Sequence, residues 1–175
     1  MTELTVRGFR PADRDAVWDL HERALRDAGA FDPDLTHLDD AFRRISEVYV
    51  DPGGAFLVGE LEGSIVAMGA FRPLTAPKSE AGRALSYASA VDDPESAAAL
   101  KRMRVDPECY RQGFGSEILA ALERRASDRG IQTLVLDTTP GQTAARAFYE
   151  SHGYQRVDRR ETDLGTVLLY RRYIG

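Results

Sequence analysis

The stretch Tyr110-Arg111-Gln112-Gly113-Phe114-Gly115-Ser116 decides the fold of this chain, because it is a glycine loop between a strand-like segment and an amphipathic segment. Gly113 and Gly115 can adopt backbone angles that other residues avoid, and they let the main chain approach a ligand closely. A helix that begins at this loop would add its unpaired N–H groups and the positive end of its dipole. The loop therefore predicts a binding site for phosphate or pyrophosphate at residues 112–116.

The segments on either side of the loop predict a strand, a helix and a second, parallel strand. Residues 100–105 alternate apolar and charged side chains up to Asp106-Pro107, which is typical of a strand with one buried face. Residues 114–126 place apolar side chains on one helical face, and Gly130 would end the helix. Residues 131–138 contain a mainly apolar run that suits a buried strand.

Two other nucleotide-binding motifs fit this unit less well. The dinucleotide-binding pattern G-x-G-x-x-G needs a third glycine, and Ile118 stands at that position. The P-loop needs a Gly-Lys-Ser/Thr triplet to hold the terminal phosphates and magnesium, and no such triplet follows the glycines. Neither motif is predicted.

Two linked segments resemble the motifs of the GNAT superfamily of N-acetyltransferases. Val105-Asp106-Pro107-Glu108 and the glycine loop resemble motif A, although Tyr110 stands where that motif has Gln or Arg. The segment from Gln142 to Tyr154 (QTAARAFYESHGY) resembles motif B, with Gln142 in place of the usual Asn. Two such motifs in the right order are more specific than one glycine loop. The resemblance is clear over residues 98–157.

The resemblance implies an α/β, or layered α+β, fold. Its central mixed, mostly antiparallel twisted sheet would have about seven strands, with one splayed parallel pair and helices on both faces. Residues 1–175 would form a single domain, with 73–98 as an insertion or loop. Apolar periodicity predicts the remaining elements: strands at 4–10, 55–61 and 64–71, helices near 16–24 and 38–48, a short strand near 83–89, and a closing hairpin at 154–161 and 166–173.

The resemblance also implies that the chain uses acetyl-CoA and no metal. The main chain of Met103, Arg104 and Val105 would hold the pantetheine amides and polarise the acetyl carbonyl, as an oxyanion hole does. The remaining cofactor contacts would come from the glycine loop and from the start of the motif B segment. The loop would contribute Arg111, Gln112, Gly113, Phe114, Gly115 and Ser116, and the motif B segment would contribute Gln142 and Arg146.

Tyr149 stands where the resembled family often has a general acid for the departing CoA thiolate. An unperturbed tyrosine, with a pKa of about 10, keeps its proton at neutral pH. The alternative is a core tyrosine with a satisfied hydroxyl, since Ala145, Phe148, Tyr149 and His152 form an apolar helical stripe.

The implied acceptor is a primary amine of a small molecule or peptide, and the amine must lose a proton before it attacks. The sequence leaves the base open among Glu60, Glu62, Asp92, Asp93, Glu108, His21, His37 and His152. An acidic segment between the first two predicted helices would favour a cationic amine, although such a segment is often only a solvated face: Asp27, Asp32, Asp34, Asp39 and Asp40.

Composition limits the binding partners and the cellular location that the protein could have. The net charge of −5, without a basic stripe, argues against nucleic-acid binding. Cys109 is the single cysteine, so no disulfide forms within the chain and a reducing compartment is expected. No apolar run approaches the roughly 20 residues of a membrane helix, and the first residues do not resemble a signal peptide. A cytoplasmic protein is predicted, and the C-terminal hairpin would permit a homodimer.

Two other functions remain open from sequence. One is a non-catalytic acyl-CoA sensor or interaction module, which would keep the glycine loop but would not need Tyr149. The other is an acyltransferase that uses a different acyl group or a hydroxyl acceptor.

Overall fold

The computed structural model describes residues 3–77 and 86–175, with residues 35–39 described by their backbone alone. Over these ranges one sheet has seven strands in the order β1-β2-β3-β4-β5-β7-β6. The strands are β1 (Thr5–Gly8), β2 (Ala55–Leu61), β3 (Ser64–Pro73), β4 (Ala97–Val105), β5 (Thr133–Thr138), β6 (Gln155–Thr162) and β7 (Gly165–Tyr173). β4 and β5 are parallel and every other neighbouring pair is antiparallel. The predicted sheet is confirmed.

Helices cover both faces of the sheet. The α-helices are α1 (Arg14–Asp27), α2 (Phe114–Asp128) and α3 (Thr143–Ser151). Segments of 3-10 helix are found at Pro11–Asp13, Pro33–Arg43, Ala88–Ala90, Pro94–Ser96 and Pro107–Cys109, and a π-helical turn at Ser46–Val50. Helices α2 and α3 pack on one side, here called the α2 face, and α1 packs on the other, the α1 face.

Two predicted elements differ from the structure. The helix expected near 38–48 is a 3-10 segment and a separate π-helical turn, divided at Arg44, whose φ of −136° is not helical. Apolar spacing cannot distinguish these helix types, because they differ in hydrogen-bond partner rather than in which side is buried. The strand expected near 83–89 is wrong where it can be described, since 86–87 are irregular and a 3-10 turn begins at Ala88. Residues 83–85 lie outside the described residues.

The alternation of side chains defines the two faces. On the α2 face, Leu134 and Leu168 join the core that includes the buried side of α2. On the α1 face, Phe56 and Met68 pack against α1 and the segment 33–50. Farther along the α1 face, Tyr87 and Ala90 of the connection between β3 and β4 cover the strands β5 and β7. The connection therefore forms part of the α1 face.

The parallel strands diverge at their carboxyl ends. Pairing between β4 and β5 extends only over Ala97–Ala99 and Thr133–Val135. A β-bulge follows in β4, where Arg102 and Met103 together oppose Gly69, and Arg102 has a φ of 59°. The bulge bends β4, as β-bulges do, while β5 continues beside β7. The opening bordered by residues 100–105 and 136–138 is called the strand gap below.

Candidate active site

The glycine loop presents main-chain N–H groups at the start of α2. Arg111 and Gly113 have left-handed backbones, with φ of 63° and 83°. The N–H of Glu117 donates to the carbonyl of Gly113 at 3.1 Å, so the N–H groups of residues 114–116 point beyond the helix end. No side chain of Gly113 can cap them. This arrangement suits an anion.

The two glycines have different roles, which corrects one sequence-based expectation. Gly113 adopts the left-handed conformation, whereas Gly115 lies within α2 and has no positive φ. A Cβ at Gly115 would lie 3.4 Å from Phe148 Cε2 and 3.5 Å from Val105 Cγ2. Gly115 therefore provides space between α2, α3 and β4 rather than an unusual backbone angle.

The side chains of the loop contribute less than its main chain. Phe114 is buried in the core, while Arg111 and Gln112 are exposed. Ser116 Oγ lies 2.9 Å from His152 Nε2, and His152 Nδ1 lies 2.7 Å from the carbonyl of Phe148. A neutral His152 would donate from Nδ1 to that carbonyl and accept from Ser116 at Nε2. The Ser116 hydroxyl thus joins α2 to α3.

Gln142 and Arg146 have local structural contacts at the turn between β5 and α3. Gln142 Oε1 accepts hydrogen bonds from Thr138 Oγ1 and from the N–H of Thr139, both at 3.0 Å. Arg146 donates to the carbonyl of Pro140 at 3.1 Å and lies 3.4 Å from the Tyr170 hydroxyl. These contacts order the start of α3, so both side chains can shape the gap without touching a ligand.

The main chain of β4 borders the strand gap on one side. β3 pairs with one edge of β4 at Arg104 and Val105, and beyond Ala99 the opposite edge faces the gap. The side chain of Met103 packs against the core on the α2 face. Its carbonyl accepts a hydrogen bond at 2.8 Å from the Arg104 side chain. A ligand amide at this carbonyl would share or displace that contact.

Tyr149 lies on α3 in the core of the α2 face, with 9% of its surface exposed. Its ring makes edge contacts with Phe148 and Tyr154, at centroid distances of 5.2 and 5.7 Å. Burial raises the pKa of Tyr149 to about 12; the positive charge of Arg104 opposes the rise and the negative charge of Asp137 adds to it. The hydroxyl therefore keeps its proton over the whole physiological range.

Other buried tyrosines use their hydroxyls differently. Tyr154 donates to Glu123 at 3.0 Å, Tyr170 to Glu150 at 2.8 Å, and Tyr87 to Asp137 at 2.6 Å. Within the described ranges no hydrogen bond holds the Tyr149 hydroxyl. A purely structural buried tyrosine usually satisfies its hydroxyl, so this difference favours a role toward a ligand.

A cluster on the α1 face of the gap was missed by sequence reasoning. Asp137 of β5 accepts the hydrogen bond of Tyr87, and Lys101 Nζ of β4 lies 3.3 Å from the same carboxylate oxygen. Lys101 also donates to the Tyr87 hydroxyl and lies 4.9 Å from the centroid of that ring. The signal in the sequence was an aspartate at the carboxyl end of a parallel strand, the edge where ligands bind in open α/β sheets.

Several residues considered as the base have other surroundings. Glu60 pairs with Arg7 at 3.0 Å, and Asp93 Oδ1 accepts from the N–H of Glu95 at 3.0 Å. His21 is buried against Phe42, with ring centroids 4.5 Å apart. Asp92 is almost fully exposed, Glu62 forms the β2–β3 turn, Glu108 follows β4, and the side chain of His37 is not described.

The acidic segment after α1 is partly neutralised. Asp32 Oδ1 accepts a hydrogen bond from the N–H of Asp34 at 2.9 Å, which caps the 3-10 segment. Asp40 lies 3.7 Å from Arg43 and 3.8 Å from Arg44. The side chain of Asp39 lies outside the described residues. The negative charge that could attract a cation is smaller here than the sequence suggests.

A family model described as the acetyltransferase (GNAT) family matches residues 14–154. The chain belongs to the GNAT family. Within its GNAT fold, the matched region runs from α1 through the glycine loop and the strand gap to Tyr154, so it contains both borders of the candidate site.

Individual GNAT relatives agree with this assignment. The uncharacterized N-acetyltransferase YjgM of Escherichia coli K12 is 26% identical over 127 residues, 73% of this chain and 66% of YjgM. The [ribosomal protein bS18]-alanine N-acetyltransferase of Haemophilus ducreyi is 34% identical over 64 residues, 37% of this chain and 44% of that protein. The chain thus matches less than two thirds of the length of these curated relatives.

Solved structures share the fold of the chain. A GNAT-family acetyltransferase from Staphylococcus aureus Mu50 has a TM-score of 0.78 at 16% identity, covering 99% of this chain and 100% of that one. The Salmonella typhimurium protein yncA, solved with its cofactor acetyl-CoA, has a TM-score of 0.70 at 16% identity and covers 99% of this chain and 95% of that one. At such identities the agreement concerns the GNAT fold.

Within the described part of the chain, no cluster of three or more His, Cys, Asp or Glu side chains could hold a metal ion. No helix in the same ranges is long and apolar enough to cross a membrane.

Proposed function

We propose that the chain is an N-acetyltransferase that moves an acetyl group from acetyl-CoA directly to a primary amine. The observation that carries the proposal is an arrangement of two features around the strand gap. The glycine loop lies at one end of the gap, and Tyr149 lies on the α2 face, where its hydroxyl has no hydrogen bond within the described structure. A phosphate-binding end and a protonated hydroxyl are the two features that a CoA thioester would need from this chain.

The residues present fit acetyl-CoA. The N–H groups of residues 114–116 would receive the pyrophosphate, with Arg111 and Gln112 exposed beside them. The gap-facing edge of Met103, Arg104 and Val105 would pair with the pantetheine amides and polarise the acetyl carbonyl. Gln142 and Arg146 would act through the turn that they order rather than as direct ligands. The thioester supplies an activated acetyl group.

The chemistry requires protons to leave the acceptor and one proton to reach the departing sulfur. The amine nitrogen forms a bond to the acetyl carbon, and the carbon–sulfur bond breaks. An acceptor that arrives as an ammonium ion gives up two protons, one before attack and one from nitrogen as the amide forms, while Tyr149 donates its proton to the departing sulfur and is reprotonated from solvent. An alkylamine with a pKa of about 10.4 is mostly protonated at pH 7, so freeing its lone pair costs about 4 to 5 kcal/mol. Asp137 is the carboxylate that β5 places beside the gap, and we propose it as the group nearest to the proton that the ammonium ion loses before attack.

The value of kcat/KM should rise with pH, and ionisation of Tyr149 should cause no fall at the alkaline end of the profile. The elevated pKa of about 12 keeps Tyr149 in its acid form, so the rate should continue to increase up to about pH 10 as the amine, with a pKa of about 10.4, loses its proton. The profile is measured by thiol release between pH 6 and 10. A descending limb near pH 8 to 9 that disappears in Tyr149→Phe would contradict the raised pKa.

Isothermal titration with acetyl-CoA and with CoA tests the cofactor without knowledge of the acceptor. The wild-type protein should bind both with micromolar affinity, and Gly113→Asp/Gly115→Asp should weaken binding by about 100-fold or more, since a carboxylate at position 113 would lie beside the pyrophosphate and a side chain at position 115 would press on Phe148 and Val105. Gly8→Asp in β1, where a Cβ has open space, adds a carboxylate away from the loop and should bind normally. Circular dichroism shows whether each variant folds.

Failure of a folded wild-type protein to bind either compound would overturn the proposal. Binding without turnover of any amine would instead favour a non-catalytic acyl-CoA sensor, which keeps the loop but does not need the Tyr149 hydroxyl. A different acyl group or a hydroxyl acceptor would appear as turnover with other thioesters or with alcohols.

The cytoplasmic location and the homodimer remain predictions. Cys109 is a free thiol, as a reducing compartment would maintain. A dimer joined edge to edge through β6 is disfavoured, because that edge strand carries charged side chains of both signs, Arg156, Asp158, Arg159, Arg160 and Glu161.

A further inference from the structure

We propose that Arg23 of α1 and Asp106, the residue after β4, are positioning residues for CoA. Their ion pair fixes the glycine loop relative to β4, and it does so from the α1 face, opposite to the face on which α2 lies. The two side chains act through the loop and not by contact with CoA. The inference rests on the proposed acetyltransferase function, and it adds to the CoA site a residue of α1 that neither motif contains.

The position of the glycine loop matters because CoA would be held at two places at once. Its pyrophosphate would lie at the N–H groups of residues 114–116, and its pantetheine along the gap-facing edge of β4. One covalently continuous ligand joins the two places, so a shift of the loop relative to β4 weakens one set of contacts. A displacement of about 1 Å in a positioning element can lower a rate about 100-fold.

Burial alone does not fix the segment between β4 and α2. Residues 107–109 are exposed or half-buried, and residues 110–113 are all exposed. Cys109 packs partly against the core of the α2 face. A segment with few buried apolar contacts is displaced more easily than the core, so its polar contacts have a large share in fixing its position.

Asp106 provides these polar contacts at the point where β4 ends. It is buried, with 6% of its surface exposed. Its Oδ1 accepts a hydrogen bond from the N–H of Glu108 at 3.0 Å, and its Oδ2 accepts one from Arg23 Nη1 at 2.5 Å. Its own N–H donates to the carbonyl of Val66 in β3 at 2.7 Å. Asp106 therefore connects the sheet, the turn Pro107–Cys109 before the loop, and α1.

Arg23 compensates the charge of a carboxylate that has little access to water. The Arg23 side chain is half exposed, whereas 9% of the Asp106 side chain is exposed. Removing the partner of a buried charge costs more than breaking an exposed ion pair, because the remaining charge stays away from water. Without Arg23 the carboxylate should move toward solvent, and the turn that it caps should move with it.

Asp27, one helical turn after Arg23, lies on the same side of α1 and faces the next part of the segment. Its carboxylate lies beside the hydroxyl of Tyr110, the first residue of the glycine loop. Burial raises the pKa of Tyr110, and the negative charge of Asp27 adds to the rise, so the hydroxyl remains a donor at physiological pH. Tyr110 stands where motif A has Gln or Arg. In this chain that position contacts α1, which supports the role of α1 in placing the loop.

The first test compares acetyl-CoA with S-acetylpantetheine, a thioester that lacks the pyrophosphate and the nucleotide. In Arg23→Gln, kcat/KM for acetyl-CoA, measured by thiol release, should fall about tenfold through KM, because the loop no longer matches the pyrophosphate. The value for S-acetylpantetheine, which would use β4 but not the loop, should change by less than about twofold. A merely structural role of Arg23 would lower both values or neither.

Isothermal titration of CoA is the second test, and it needs no acceptor. The Kd of CoA should rise about tenfold in Arg23→Gln and return to within about twofold of the wild type in Arg23→Lys, which restores the charge. Asp106→Asn should have a similar effect to Arg23→Gln, and the double variant should bind little more weakly than either, because the two side chains act as one pair. Arg14→Gln removes the same charge from an exposed position in the first turn of α1 and should bind CoA normally.

Wild-type CoA affinity in folded Arg23→Gln or in folded Asp106→Asn would overturn the proposal. Asp106→Asn keeps the size of the side chain and an acceptor for the N–H of Glu108, so it tests the pair even if Arg23→Gln does not fold. An equal loss with acetyl-CoA and S-acetylpantetheine would also overturn the proposal, since the pair would then act on β4 or on the whole fold. A folded wild-type protein that binds neither CoA nor acetyl-CoA would instead refute the proposed function.

Discussion

Replacing Tyr149 by Phe should lower kcat about 10- to 1,000-fold while changing the affinity for CoA by less than about twofold. The substitution removes a hydroxyl for which no partner is found among the described residues, so packing against Phe148 and Tyr154 is retained. The loss is limited because a thiol of pKa about 8.5 can leave without full protonation. The measurement is kcat by thiol release with an amine that the wild type acetylates, together with isothermal titration of CoA.

Tyr154→Phe is the matched control for this prediction. Tyr154 is also buried and lies beside Tyr149, but its hydroxyl donates to Glu123 at 3.0 Å. Its removal should cost about 1 kcal/mol of unfolding free energy and leave kcat near the wild-type value. We therefore expect different effects from the two substitutions: Tyr149→Phe should lower kcat, and Tyr154→Phe should lower the free energy of unfolding. A wild-type kcat in Tyr149→Phe would exclude Tyr149 as the general acid.

Sequence reasoning was accurate where periodicity and turn chemistry agree. The strand predicted at 55–61 has those bounds in the structure, and the following Glu62-Gly63 turn has two positive φ angles, 51° and 83°. Helix α2 was predicted from an apolar stripe that ends at Gly130, whose φ is 80°. In each case a short local pattern determines the backbone.

The segment 33–50 was predicted less well because its form depends on contacts distant in sequence. Phe42, Ile45 and Tyr49 fill the core of the α1 face against Phe56 and other strand residues. The chain satisfies these contacts with a 3-10 segment and a π-helical turn, and not with one regular helix. Helical spacing identified the buried residues, but tertiary packing selected the hydrogen-bond pattern.

The candidate site shows the same division. The glycine loop was located from local residue types, and its left-handed Gly113 lies at the start of α2 as expected. Local residue types did not locate the cluster of Lys101, Tyr87 and Asp137, because three separate segments of the chain meet there. The face of Arg102 depends on a bulge that a two-residue alternation cannot indicate. Side-chain roles at the gap therefore required the register of β4.

Gly69→Ala should destabilise the protein by about 2 to 3 kcal/mol, which for a domain of this size lowers Tm by about 5 to 10 °C. A Cβ at Gly69 would overlap Met103 Sδ and lie 2.8 Å from Ile118 Cγ2 and 2.9 Å from Leu122 Cδ1. These three side chains belong to the bulge of β4 and to α2, and all three have to shift within a packed core to relieve the overlap.

Gly8→Ala is the control for this strand glycine, because a Cβ there meets no atom within 4 Å. It should leave Tm unchanged or raise it slightly, since alanine loses less backbone entropy on folding than glycine. In Gly69→Ala the affinity for CoA should fall together with stability, because α2 carries the N–H groups of the glycine loop on the same rigid element. Thermal unfolding and CoA titration measure both effects. A fully stable Gly69→Ala protein with normal CoA affinity would mean that the bulge, the packing of α2 and the loop are not coupled.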